Sequence, residues 1–177
     1  MAWANDDMVL YHGCSDRSLR PANPNGISPG GGPHNISPSV GAARPDFGPG
    51  FYTTTWLHQA RNWANTRVRR QRAGKAVVLR MLVGRNRFAN LQTLVFPSDR
   101  DRFYDFVAYC RAGGIPHAPR VHRGGPYDVV TGPVTAAPQT LAIDQADQVS
   151  FHTAVGILAI SQVTIFEVGN PLLNVMP

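Results

Sequence analysis

The sequence has a single glutamate, Glu167, and a single lysine, Lys75. The lone glutamate bounds the chemistry, because any mechanism that requires a catalytic Glu must use that residue or do without one. Cysteine is scarce. Cys14 and Cys110 are too few for a disulfide framework, and neither lies in a CxxC or metal-ligand spacing. The histidines show no ligand spacing either, so no metal is expected. Long apolar runs are missing: no stretch approaches the about 18 uninterrupted apolar residues of a membrane span. The N-terminal stretch carries Asp6 and Asp7 where a signal peptide would carry positive charge. These absences lead to the expectation of a soluble, cytoplasmic protein with no membrane partner, although a toxin exported by dedicated machinery would show the same features.

What is present is a basic, core-forming composition. The 177 residues are 43% hydrophobic, enough for a packed core and of a length for one domain. Lys and Arg together number 17 against 11 acids, a net charge of +6 carried almost wholly by arginine. The planar guanidinium grips phosphates bidentately, so such a surface attracts polyanions or a pyrophosphate, though a solvated helix face has the same composition.

Along the chain, Met8–Gly13 reads as a buried strand, and Phe51–Thr54 and the residues from 75 to 83 as two more. The stretch from Leu57 to Arg72 places Ala60, Trp63, Ala64 and Val68 at helical spacing, with arginines on the far side. Phe88–Phe96 predicts a further extended piece. Ser98, followed by Asp99, Asp101 and Asp105, predicts a helix start whose apolar face is Phe103, Phe106, Val107 and Cys110. Strands are expected again at Tyr127–Val134, Val149–His152 and Val163–Val168, with a short turn or helix between the last two. Between the first two strands, residues 15–50 are proline- and glycine-rich and lack periodicity. A segment of that length abutting the two best motifs reads as a loop that covers substrate. The expectation is one α+β domain, residues 1–177, with a split, mostly antiparallel sheet and peripheral helices.

Two motifs carry the chemistry. Leu10-Tyr11-His12-Gly13 closes the first strand. Asp46-Phe47-Gly48-Pro49-Gly50-Phe51-Tyr52-Thr53-Thr54 leads into the helix containing Gln59-Ala60-Arg61-Asn62-Trp63-Ala64. A His-Gly pair at a strand end offers a ring nitrogen to a hydroxyl and bare backbone groups to an amide. Glycines in the second motif let a flat ligand approach closely, with Tyr52 and Trp63 to stack on it.

In these residues the chain resembles the diphtheria-toxin and poly(ADP-ribose) polymerase branch of the ADP-ribosyltransferases. That branch carries His-Gly on its first strand, Gly-x-Gly-aromatic-Tyr, and a second aromatic eleven residues after the tyrosine, the spacing of Tyr52 and Trp63. More closely, the sequence is similar to a microbial toxin-like family of unknown function that shares LYHG, DFGxGFYTT, YDVVxGPV and QVSFHT. The resemblance runs from Val9 to Phe166 and leaves the proline-rich loop unmatched.

The resemblance implies an ADP-ribosyltransferase-like split β-sandwich, with NAD⁺ as substrate bound by His12, Gly13, Tyr52, Thr53 and Trp63. It implies a catalytic set of His12, Tyr52 and Gln148, the last standing where the branch usually has glutamate. The activity implied is mono-ADP-ribosyl transfer to an acceptor that is a protein, a nucleic acid or a small molecule, with a cognate inhibitor or antitoxin as a further partner. Hydrolysis of NAD⁺ by water, or binding of NAD⁺ or ADP-ribose without turnover, are the alternatives. Asp144, Asp147 and Glu167 are the carboxylates that could stand in for the missing glutamate.

Overall fold

A computed structural model describes residues 6–19, 26–28, 45–97, 101–114, 127–136 and 141–169. Among them are seven strands and four α-helices, an α+β fold in two mostly antiparallel sheets. The chain divides into two compact units. One is drawn from Met1–Asn35, Thr53–Asn90 and Leu158–Pro177, the other from Ile36–Tyr52 and Leu91–Ile157.

The first unit holds a three-stranded antiparallel sheet in the order β1 (Met8–Ser15), β3 (Ala76–Val83), β7 (Ile160–Gly169). Its central strand, AVVLRMLV, is a near-continuous apolar run, and Ala76 to Leu79, Met81 and Val83 are all buried. Helix α1 (Leu57–Gln71) covers one face with Ala60, Ala64 and Val68 against Ala76 and Val78. Small residues let it sit close. A Cβ added to Gly13 would lie 2.7 Å from the Ala64 nitrogen and closer still to the Ala60 carbonyl oxygen. The Gly13 position is therefore fixed by packing. The helix ends at Arg72 in the left-handed region, with φ of 52°.

The second unit carries most of a four-stranded sheet in the order β2 (Phe51–Thr53), β6 (Leu141–Phe151), β5 (Val129–Ala136), β4 (Thr93–Val95). In it β4 and β5 run parallel, and β5 and β6 antiparallel. Helix α3 (Asp101–Arg111) buries Phe103, Phe106, Val107 and Cys110 in an aromatic core with Phe47, Tyr127 and Val130. Short helix α4 (Ala154–Leu158) is started by Thr153, whose hydroxyl bonds the Asp128 carboxylate and accepts from the Gly156 N–H.

The expected strands and the two main helices are present at nearly the expected bounds. Two segments differ. Phe88–Phe96 is not one extended piece: helix α2 (Arg85–Ala89) occupies its start and β4 is three residues long. Strand β6 starts at Leu141, well before Val149; its first arm is largely exposed, Leu141 and Ile143 included, and has no alternation of burial. Of the proline-rich segment, Leu19 and Ile27 are buried and bridge each other, and 45–50 is ordered into a turn. The expectations for residues 20–25 and 29–44 of the proline-rich segment, and for Ser98 and Asp99, fall outside the described residues.

Replacing Gly13 with Ala drives a methyl group into the α1 backbone. We expect a loss of about 3 kcal/mol, the upper end for overpacking, read as a lowered Tm. A Tm unchanged within a degree would contradict the close approach of α1.

Candidate functional site

Strand alternation fixes where the first motif points. Tyr11 and Gly13 share the face covered by α1, so His12 lies on the opposite face with Leu10 and Cys14. Tyr11 donates to the Thr54 carbonyl at 2.8 Å and accepts from the Thr54 N–H at 2.9 Å. That antiparallel bridge sets His12 opposite Thr53 in register. It also defines the edge of β1 away from β3. By the two-residue alternation, the Gly13 N–H and C=O project from this same edge.

Thr54 also builds the entry to α1. Its hydroxyl accepts from the Trp56 N–H at 3.0 Å and donates to Gln59 at 3.0 Å. On the helix, Arg61 reaches Glu167 on β7 with two hydrogen bonds, one of 2.8 Å. At 100° per residue, Trp63 falls on the opposite flank of the buried stripe, the flank toward β1. Trp63 is 46% exposed, an uncovered aromatic surface, although its spacing alone suggests a member of the packed stripe.

The second motif forms a closed turn in the other unit. Gly48 donates to the Pro45 carbonyl with φ of 76°, a conformation that favours glycine. The Tyr52 hydroxyl donates to the Gly48 carbonyl at 2.6 Å and accepts from the Phe47 N–H at 3.1 Å. Burial pushes the Tyr52 phenol well above its ordinary range, so it stays protonated at neutral pH. With its hydroxyl spent inside the turn, Tyr52 has its ring to offer a ligand.

Strand β6 supplies a polar stripe beneath this turn. Gln148, Ser150 and His152 alternate with apolar Val149 and Phe151, so the three polar side chains share one face. The Gln148 amide nitrogen donates to the Asp46 carboxylate at 2.8 Å and to the Pro133 carbonyl at 2.7 Å. Asp46 is buried and also accepts from the Thr135 N–H, the Thr135 hydroxyl and Arg111 of α3, each at 2.8 Å. Gln148 is buried too, and it sits well inside β6, not at a strand start. The sequence alone assigns no role to Asp46, Arg111, Thr135, Ser150 or His152. The alternation of QVSFH within a buried strand is the one signal that points to the last two.

The carboxylates and thiols divide clearly. The Arg61 guanidinium hydrogen-bonded to Glu167 holds that carboxyl below the usual glutamate range, so the only glutamate is an ion-pair partner. Asp144 is exposed on the first arm of β6, and Asp147 is one residue off the Gln148 face. Burial pushes the Cys14 and Cys110 thiols each up to about 12, so neither is a thiolate at neutral pH. Among the described residues no cluster of His, Cys, Asp or Glu could hold a metal ion, and no helix is long and apolar enough to cross a membrane.

Changing Gln148 to Glu sets a second carboxylate against Asp46. Like charge raises the folded-state pKa of the new acid above its unfolded value near about 4.3. The destabilisation is therefore full above the raised pKa and shrinks as pH falls through it. Thermal melts of Gln148→Glu between pH 8 and 5 should show a Tm deficit that narrows toward acid; a constant deficit would rule out the carboxylate contact.

A protein-family profile described as a protein of unknown function (DUF3990) matches residues 34–146, and the chain belongs to that family. The match contains Asp46, Tyr52, Thr53 and Trp63, begins after His12 and Gly13, and ends before Gln148. No curated protein and no solved structure matches the chain.

Proposed function

We propose that this DUF3990 protein is an NAD⁺-dependent mono-ADP-ribosyltransferase. The observation that carries the reading is the edge of β1 at His12-Gly13. There the Tyr11–Thr54 bridge joins the two motifs, Gly13 projects its amide outward, and Trp63 rides on the adjacent flank of α1. A backbone N–H and C=O side by side suit the carboxamide of nicotinamide, which needs one acceptor and one donor. The reading assigns stacking on the nicotinamide to Tyr52 and Trp63. His12 and Thr53 serve the ribose hydroxyls.

In this reading the bond between nicotinamide and ribose breaks heterolytically. The electron pair leaves with nicotinamide, and an oxocarbenium-like ribose is captured by the acceptor. The chain's task is to hold that charge in place and exclude misdirected attack. Gln148 cannot contribute charge. Its amide nitrogen is committed to Asp46 and Pro133, and the reading gives Oε1 the role of acceptor for a ribose hydroxyl. The same neutrality favours a second reading, a module that binds NAD⁺ or ADP-ribose without turning it over; a toxin-like role with a cognate inhibitor goes with the first.

Binding is tested by mass action. NAD⁺ at millimolar concentration should raise the Tm of the folded protein, and His12→Ala and Tyr52→Ala should each remove most of that rise. No change in Tm with NAD⁺ would sink both readings.

A further inference from the structure

His152 is held from three sides within one unit. Its Nδ1 lies 2.7 Å from the Pro49 carbonyl oxygen, its Nε2 lies 2.7 Å from the Ser150 hydroxyl, and its ring meets Tyr52 edge-on with centroids 6.3 Å apart. Its backbone N–H donates to the Asp128 carbonyl at 2.9 Å, which anchors the residue just beyond the end of β6. A carbonyl oxygen only accepts, so Nδ1 carries a proton and donates to Pro49. Ser150 is fully buried, and its hydroxyl is also 3.0 Å from the Val130 carbonyl. The ring is thus fixed in position, with a proton on Nδ1.

The turn is shaped to receive it. A Cβ on Gly50 would lie 2.8 Å from Nδ1 and 2.9 Å from Cε1 of His152, so only glycine lets the ring close on Pro49. Pro49 and Gly50 lead directly into Phe51 and Tyr52 of β2. At its other end the turn is held by Asp46 on Gln148, and in the middle by the Tyr52 hydroxyl on Phe47 and Gly48. Pro49, which His152 holds, is the tied carbonyl of the turn nearest in sequence to Tyr52.

We propose that His152 is the positioning residue for Tyr52: its Nδ1–H ties the Pro49–Gly50 turn that carries the tyrosine which stacks on the ligand. The inference rests on the NAD⁺ reading for its functional half and on geometry for its structural half, and the two are separable by experiment. An asparagine carries its amide nitrogen near the position of Nδ1, whereas a glutamine carries it near Nε2. His152→Asn therefore keeps the donor to Pro49, and His152→Gln keeps only a partner for Ser150.

The test compares wild type, His152→Asn, His152→Gln and His152→Ala by hydrogen-exchange mass spectrometry over a peptide spanning 47–53, and by NAD⁺ affinity. Losing one such hydrogen bond should speed exchange and weaken NAD⁺ binding by about tenfold in the Gln and Ala variants. The Asn variant should stay within about threefold of wild type in both. Equal exchange and equal NAD⁺ affinity in all four proteins would overturn the proposal, as would loss in the Asn variant as large as in the Gln variant. If the wild type does not bind NAD⁺, the nucleotide reading fails by itself. The exchange pattern then decides whether His152 ties the turn, and unchanged exchange in His152→Gln overturns that tie.

Discussion

A buried carboxylate organises the second unit. Asp46 takes hydrogen bonds from an arginine of α3, from a threonine of β5 through both its backbone and hydroxyl, and from a glutamine of β6. A buried charge is tolerated only when its lone pairs are occupied, and removing one member of such a set costs about 3–5 kcal/mol. The arrangement therefore locks one helix and two strands to the start of a single turn. Phe47, the next residue, fills the aromatic core, so polar and apolar anchoring of that turn are adjacent in sequence. The rest of the turn, from Gly48 through Tyr52, inherits its position from these two residues and from His152 at the far end.

This arrangement changes what the DFGPGFY motif means. Asp46, Phe47, Gly48 and Gly50 each have a structural duty, and the Tyr52 hydroxyl closes the turn. The motif is therefore a device for holding the Tyr52 ring. Gly13 shows the same doubling: it must be glycine for α1 to pass, and it offers bare backbone at the edge of β1. Motif residues in this chain carry scaffold duties, to which the proposed function adds ligand duties.

How far the sequence foretold this depends on the range of each interaction. The strands β1 and β3, the apolar stripe of α1 and the buried face of α3 arise from local periodicity, and they were legible. The first arm of β6 was not, because Leu141–Asp147 has no alternation of burial to betray a strand. The Asp46 network joins residues 65, 89 and 102 positions apart, and no local pattern records such a pairing. Gln148 is recognisable by its motif, but its burial and its bond to Asp46 come only with the sheet register. Glu167 reads as a spare carboxylate until its partner on α1 is visible.

The central claim is that the two motifs serve one reaction, the breaking of the nicotinamide–ribose bond of NAD⁺. The direct measurement is incubation of the folded protein with NAD⁺ and cell lysate, tracking nicotinamide release by chromatography and the ADP-ribose by mass spectrometry. The account predicts nicotinamide release that depends on Tyr52, with ADP-ribose recovered on an acceptor. Folded protein that releases no nicotinamide above the spontaneous rate would contradict it.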